Sequence, residues 1–273
     1  MTALELRELH TISDFEDIHR LYADIWRTDA GSAPVSVEMM RALSHAGNYV
    51  AGAYESGTIV GASVAFLAAP AGTTLHSHIT GTAMGRGIGL ALKLHQRQWA
   101  LARGLTRITW TYDPLVRRNA HFNLAKLGAR PEEYLPSFYG PMDDAINGGD
   151  ETDRVLAAWD LTTSPPTATQ TPEPVPSTVV AGSSYAIRDH EGRPRAGSAD
   201  TETVLIDVPE DIEALRRKDP AAARAWRLAV RDTLGALLAD GGRVIGFHNR
   251  SSYVVTRTPA ASTAAAFARS LTP

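Results

Sequence analysis

Apolar and polar positions alternate over residues 4–9 and predict an opening strand. Ser13 follows as an N-cap, and Phe15, Ile18, Leu21, Tyr22 and Ile25 recur at helical spacing, which predicts a helix to about residue 27. A second helix is expected over 35–46. Residues 49–54 and 58–68 are β-rich runs around Glu55-Ser56-Gly57, a hairpin signal. A further strand over 73–80 runs into a glycine loop, and a long helix over 86–103 stops at Gly104. Residues 107–112 form a short strand, Asp113-Pro114 punctuates it, and 115–127 is helical up to Gly128. Two weaker strands fit 134–139 and 155–161. The order β-α-α-β-β-β-α-β-α-β-β predicts a mixed-sheet α/β (α+β) layer, not an all-parallel one.

Composition shifts at Thr162. Residues 162–184 are rich in Pro, Thr and Ser, including Pro165-Pro166, Pro172, Pro174 and Pro176, and read as an extended linker. Beyond it, a strand over 203–208, helix over 209–239 and a hairpin from 243–247 and 252–256 make a smaller β-α-β-β lobe, assigned to 185–257. Asp219-Pro220 is expected to break the helix, with Pro220 at the first position of the second piece. A unit this small is expected to dock on the first domain and to cover its acceptor side. Residues 258–273 are an Ala/Ser/Thr tail expected to be mobile.

The chain has 273 residues, enough for one domain plus a second lobe, and 44% are hydrophobic, enough for a sizeable core. Lys plus Arg number 27 against 30 Asp plus Glu, with no basic stripe, which argues against a nucleic-acid partner. Cysteine is absent, so thiol nucleophiles, thiolate metal sites and disulfides are excluded. The longest apolar stretch, about 59–72, is too short to span a bilayer, and no signal pattern opens the chain. A cytoplasmic address without a membrane partner is the expectation.

Gly85, Gly87 and Gly89 alternate where a strand hands over to a helix. Missing Cβ atoms let the backbone approach an anion, and helix N-terminal N–H groups point outward with the dipole behind them. A diphosphate suits that cradle, with Arg86 as a charge contact; a tight turn is the plainer alternative. A Walker loop would end in Gly-Lys-Ser/Thr, where Leu90-Ala91 stands, and a dinucleotide loop would be spaced GxGxxG. Neither fits.

The run Gly85-Arg86-Gly87-Ile88-Gly89-Leu90-Ala91-Leu92 resembles the pyrophosphate loop of the GNAT superfamily of N-acyltransferases, and residues 109–129 resemble the strand and helix that follow it there. LHSH at 75–78, ITWTYDPL at 108–115 and RNAHFNLAKLGA at 118–129 are similar to a poorly characterised bacterial subgroup with a C-terminal extension. The resemblance implies a GNAT-like acyltransferase domain over 1–161. Its co-substrate would be acetyl-CoA or another acyl-CoA and its partner a small-molecule amine, with homodimerisation left open. An acyl-CoA-binding module without catalysis is the second reading. Cofactor contacts would fall on Ile79, Thr80, Gly85, Arg86, Gly87, Ile88, Gly89, Leu90, Asn119 and Asn123. Two departures stand out: Met84 where relatives carry Arg or Gln, and Leu124 where many carry the Tyr that protonates the leaving thiolate.

Acyl transfer to an amine needs a neutral amine, a polarised carbonyl and a proton for the thiolate. His76 and His78, two apart on one strand, share a face in the expected register and suit a base near neutrality. A hydrogen-bonded core position, a wet surface or a metal pair are the other readings, and with no carboxylate alongside no metal is expected. Tyr112 and Asp113 end the next strand and are candidates to orient the acceptor or donate a proton; Asp113 before Pro114 also reads as a turn. Tyr134 and Tyr139 are candidate replacements for the missing tyrosine, or core aromatics.

Overall fold

The structure is a computed structural model and describes residues 4–26, 34–83, 87–140, 150–163 and 175–257. Met84, Gly85, Arg86 and the tail from 258 lie outside the described residues.

The first lobe runs β1 (Glu5–Glu8), α1 (Ile12–Trp26), α2 (Val37–His45), β2 (Tyr49–Glu55), β3 (Thr58–Ala68), β4 (Thr74–Thr82), α3 (Ile88–Leu101), β5 (Arg107–Tyr112), α4 (Arg117–Ala120), β6 (Arg130–Leu135) and β7 (Arg154–Asp160). Helix α4 continues directly into a π-helical stretch, His121–Lys126. The strands form one sheet in the order β1-β2-β3-β4-β5-β7-β6, antiparallel except for the β4–β5 pair. The mixed α/β expectation is borne out, and the hairpin turn carries the positive φ angles that its sequence signals, at Ser56 and Gly57.

Strand alternation sorts the two faces. Val50 and Val64 pack under α1 and α2 with Leu9, Phe15, Ile18 and Tyr22. On the opposite face Leu75, Ile108 and Trp110 pack with Trp99 and Ala100 of α3 and Ala120 and Leu124 of the α4 segment. Helices α1 and α2 thus cover one face over β2, β3 and β4, and α3 covers the other.

The second lobe is a five-stranded sheet, β11-β12-β10-β8-β9. It comprises α5 (Ser177–Ala181), β8 (Ser184–His190), β9 (Arg193–Ala196), β10 (Thr203–Asp207), α6 (Ile212–Lys218), α7 (Pro220–Val230), α8 (Ala236–Ala239), β11 (Arg243–His248) and β12 (Ser252–Thr256). The break at Asp219-Pro220 is as expected: Asp219 caps α7 by accepting from the Ala222 N–H, and Pro220 opens it. One continuous core joins the lobes, with Trp110, Tyr112, Leu115 and Val155 in the same cluster as Ile206, Trp226, Val230 and Tyr253. The second lobe therefore packs on the α3/α4 side of the sheet, beside β5 and β6, and not on the α1 side.

Four expectations are corrected. Thr11, not Ser13, caps α1: its Oγ1 accepts from the Asp14 N–H at 3.2 Å while Asp14 Oδ2 accepts from the Thr11 N–H at 3.1 Å, a reciprocal capping box. The sixth strand is Arg130–Leu135, not 134–139; β6 is an edge strand, where the missing N–H of Pro131 is tolerated. The small lobe gains a β8–β9 hairpin, turning at Glu191-Gly192 with both φ angles positive. Ser177–Ala181, inside the expected extended linker, is a short helix.

Candidate functional site

Strands β4 and β5 pair over three residues only: Thr74 with Arg107, Leu75 with Ile108 and His76 with Thr109. Past that point Ser77–Thr82 and Trp110–Tyr112 run on without pairing each other. Two adjacent strands that stop bonding leave main-chain N–H and C=O groups facing a gap, and such groups need partners. The gap is a V with its apex at the His76–Thr109 pair. On its other edge β4 pairs with β3, but the register jumps from Val64–Ile79 to Ala65–Ser77. His78 is the extra residue, a β-bulge that takes it out of the β3 ladder at the edge of the V.

The bulge also resets which way β4 side chains point. Ser77 and Thr80 both face α3: Ser77 Oγ accepts from Lys93 Nζ, and Thr80 shares a 2.8 Å hydroxyl contact with Ser63, itself bonded by Gln96 of α3. Ile79 packs towards the α1 face. His76 points away from α3, with Nδ1 3.0 Å from Thr109 Oγ1. Phe66 of β3 lies against both imidazoles, with ring centroids 5.2 Å from His76 and 5.9 Å from His78. The two histidines are thus brought together with one aromatic ring. Burial, helped by His78 and Lys93, holds His76 down at about 4, so its imidazole is neutral at pH 7. His78 is open to solvent by surface area, yet protein atoms crowd it enough for desolvation to lower its pKa as well.

Strand β4 leads into the glycine segment and α3. Gly87 is the N-cap of α3 with φ of +73° and no side-chain cap, so the first-turn N–H groups of this 14-residue helix lack a side-chain acceptor from the cap. A Cβ at Gly89 would meet nothing within 4 Å, which leaves open space beside that turn. Ile88 is buried in the core, while Leu90 packs half-buried against the opposite cluster. Gly85 and Arg86, called as contacts on the same loop, fall outside the described residues.

On the α3 side the apex is filled by Lys93, which is 5% exposed. Its Nζ donates to Ser77 Oγ at 2.8 Å and stands 4.0 Å from the centroid of the Trp110 ring. Burial pushes Lys93 down to about 7. The Trp110 indole N–H donates to Asn123 Oδ1 at 3.2 Å, so Asn123 is buried and engaged, while Asn119, one turn earlier, is half-buried. Lys93 was missed from sequence. Its signal was present: it lies among Ile88, Leu92, Gln96, Trp99 and Ala100, the buried stripe of α3.

Tyr112 and Asp113 are drawn into the seam between the lobes. Arg227 of α7 grips Asp113 with two parallel bonds, Nη1 to Oδ1 at 2.8 Å and Nη2 to Oδ2 at 2.9 Å, and Arg216 of α6 adds Nη2 to Oδ2 at 2.7 Å. Asp150 accepts from both arginines as well. Burial alone would raise the Asp113 carboxyl, but the two guanidiniums outweigh it and hold it well below the usual carboxylate range. The hydroxyl of Tyr253 meets Tyr112 Oη at 3.4 Å and donates to the Pro114 carbonyl at 2.8 Å. Burial then pushes the Tyr112 phenol well above its ordinary value. Tyr134 donates to Asp153, which Arg231 also holds. Tyr139 reaches Thr111 Oγ1 at 3.4 Å from the open side of β5. Neither arginine of the Asp113 network carried a sequence signal beyond an Arg on a helix.

Among the described residues no group of three or more His, Cys, Asp or Glu side chains is placed to hold a metal ion, and no helix is long and apolar enough to cross a membrane.

No family model and no curated protein matches the chain. Solved structures do resemble it. An N-acetyltransferase from Staphylococcus aureus is 17% identical with a TM-score of 0.49, over 59% of this chain and 99% of that one. A GNAT-family acetyltransferase from Streptococcus pneumoniae is 17% identical with a TM-score of 0.46, over 57% and 98%. The ribosomal-protein-S18-alanine N-acetyltransferase of Escherichia coli is 11% identical with a TM-score of 0.48, over 62% and 99%.

Proposed function

We propose that the chain is an acyl-CoA-dependent N-acyltransferase that moves acetyl, or a related acyl group such as succinyl, to an amine of a small molecule or amino acid. The reading is carried by one observation: β4 and β5 part at His76–Thr109 while β4 runs on into a glycine N-cap whose helix N-terminus has no side-chain cap. A long thioester with a diphosphate at one end matches both features. Its diphosphate meets the α3 N-terminus at Gly87–Gly89, and its amide-bearing arm lies along the open edge of β4 at Ile79 and Thr80, with half-buried Asn119 of α4 as a further contact. The bulge at His78 offers main-chain polar groups to the acyl carbonyl. His76 and His78, neutral at pH 7, face the side from which an amine would enter, and accept its proton as nitrogen attacks the thioester directly. With no cysteine in the chain, direct attack in a ternary complex is the simplest route.

The test is release of CoA thiol against a panel of amines and amino acids, for the native chain and a His76→Ala/His78→Ala double variant. Release by the native chain and its loss in the double variant support the reading. A second reading, an acyl-CoA-binding module without catalysis, is favoured by Leu124, a core residue 2% exposed where many relatives have tyrosine. Tight CoA binding with no thiol release from any amine would decide for that module.

A further inference from the structure

We propose that Lys93 is the general acid that protonates the departing CoA thiolate, an inference that rests on the acyltransferase reading above. The geometry comes first. His76 and Thr109 are the last residues paired across β4 and β5. Ser77 and Trp110 are the next on each strand, and Lys93 Nζ touches both, at 2.8 Å from the Ser77 hydroxyl and 4.0 Å from the Trp110 ring centroid. The ammonium therefore closes the apex of the split from the α3 side. A thioester whose acyl carbon is reached by an amine near His76 and His78 has its sulfur at that apex.

The chemistry requires an acid there. The amine nitrogen bonds to the acyl carbon and the carbon–sulfur bond breaks, so sulfur leaves with the electron pair and needs one proton. Lys93 supplies it from Nζ and becomes a neutral amine. The proton lost by the attacking nitrogen passes to a neutral imidazole of His76 or His78, and exchange with water returns both groups to their starting states. The products are an amide and CoA thiol, and the protons balance. The acids at the end of β5 are engaged elsewhere. The Tyr112 phenol is buried against Tyr253, Asp113 is ionised between two arginines, and position 124 is leucine.

The surroundings suit the role. Lys93 meets Gln96 Oε1 of its own helix at 3.5 Å, Ser77 from β4 and Trp110 from β5, whose indole Asn123 holds from the α4 segment. These are neutral groups. His76, coupled to Lys93 through the strand, is itself neutral at pH 7. Without a carboxylate among these partners, burial brings Lys93 to about 7, where it donates readily to a thiolate of ordinary basicity, about 8.5 for a thiol. An ordinary lysine, at about 10.4, would be the weaker acid of the two.

The experiment titrates the thiol of bound CoA by thiolate ultraviolet absorbance, in the native chain and in Lys93→Met and Lys93→Gln variants, with calorimetry to measure CoA affinity. It needs no knowledge of the acceptor. Thiolate and ammonium stabilise each other, so bound CoA lifts Lys93 above its unliganded value of about 7 and the pair titrates together; the bound thiol of the native chain is expected to ionise about 1 pH unit or more below that of either variant. CoA affinity should stay within a few fold. Lys93→Met fills the same buried space without charge, and Lys93→Gln keeps a donor to Ser77 without charge, so a purely structural role would leave the thiol unmoved. The same ionisation pH in all three proteins, with CoA bound, overturns the assignment of Lys93 and leaves the acyltransferase reading standing. Failure of the native chain to bind CoA overturns both.

Discussion

Removing the Asp113 carboxylate perturbs the lobe seam where it is most deeply buried. Arg227 is 1% exposed, and Asp113→Ala strips it of both parallel bonds and strips Arg216 of its 2.7 Å bond. Breaking a buried pair by deleting one partner costs about 3–5 kcal/mol, because the surviving charge remains buried. Asp150 still accepts from both arginines at 3.2 Å, which favours the lower end. The lost 2.9 Å bond from the Leu115 N–H to Asp113 Oδ1 adds about 1 kcal/mol. The total, about 4 kcal/mol, corresponds to a fall in Tm of about 7 °C for a chain of this size. Thermal unfolding followed by circular dichroism at pH 7 measures it. The folded carboxyl lies below its unfolded value, so the contribution is fully present above the usual carboxylate range and is lost as pH falls through the folded value. The gap between native and variant Tm should accordingly narrow below about pH 4. A fall of under about 2 °C at pH 7 would refute the view that Asp113 holds the lobes together.

Other outcomes follow from the same geometry. Gly87→Ala forces an L side chain to φ of +73°, costing about 1–2 kcal/mol, and is expected to weaken CoA binding in calorimetry and to lower the shared melting transition by about 2–4 °C. The His76→Ala/His78→Ala double variant should keep CoA affinity and lose about 10²–10⁴-fold in turnover, read as thiol release. Lys93 is driven from 10.5 to about 7, so between those values the unfolded chain holds the extra proton and native stability rises with pH. Lys93→Met should therefore be more stable than the native chain at pH 7 by a few kcal/mol in urea unfolding, with the difference shrinking towards pH 10. Ending the chain after Thr163 removes Trp226, Val230 and Tyr253 from the shared core and should abolish a cooperative melt of the first lobe.

The layer order of the first lobe was legible because each element carries a local cause: the Ser56-Gly57 turn, the stops at Gly104 and Gly128, and the apolar stripe of α1. Gly87 was legible as a helix entrance for the same reason, since only a residue at ease with positive φ fits there. What escaped was relational. The bulge at His78 depends on how β4 meets β3, which no window of sequence encodes, and it alters which neighbours share a face. Asp113 sits 103 and 114 residues from the arginines that hold it, so a strand-end carboxylate read as chemistry where tertiary pairing made it a fastener. Lys93 lay on a buried stripe that its charge made easy to pass over, and the bounds of β6 depend on its pairing with β7 at the sheet edge, which is not visible locally.

The central claim, that the split between β4 and β5 together with the α3 N-terminus forms an acyl-CoA site, is tested most directly by calorimetric titration of the native chain with CoA and, separately, with NADH. One CoA per chain, weakened by Gly87→Ala, with no heat from NADH, is the expected result. Absence of CoA binding, or NADH binding of equal strength, would contradict it.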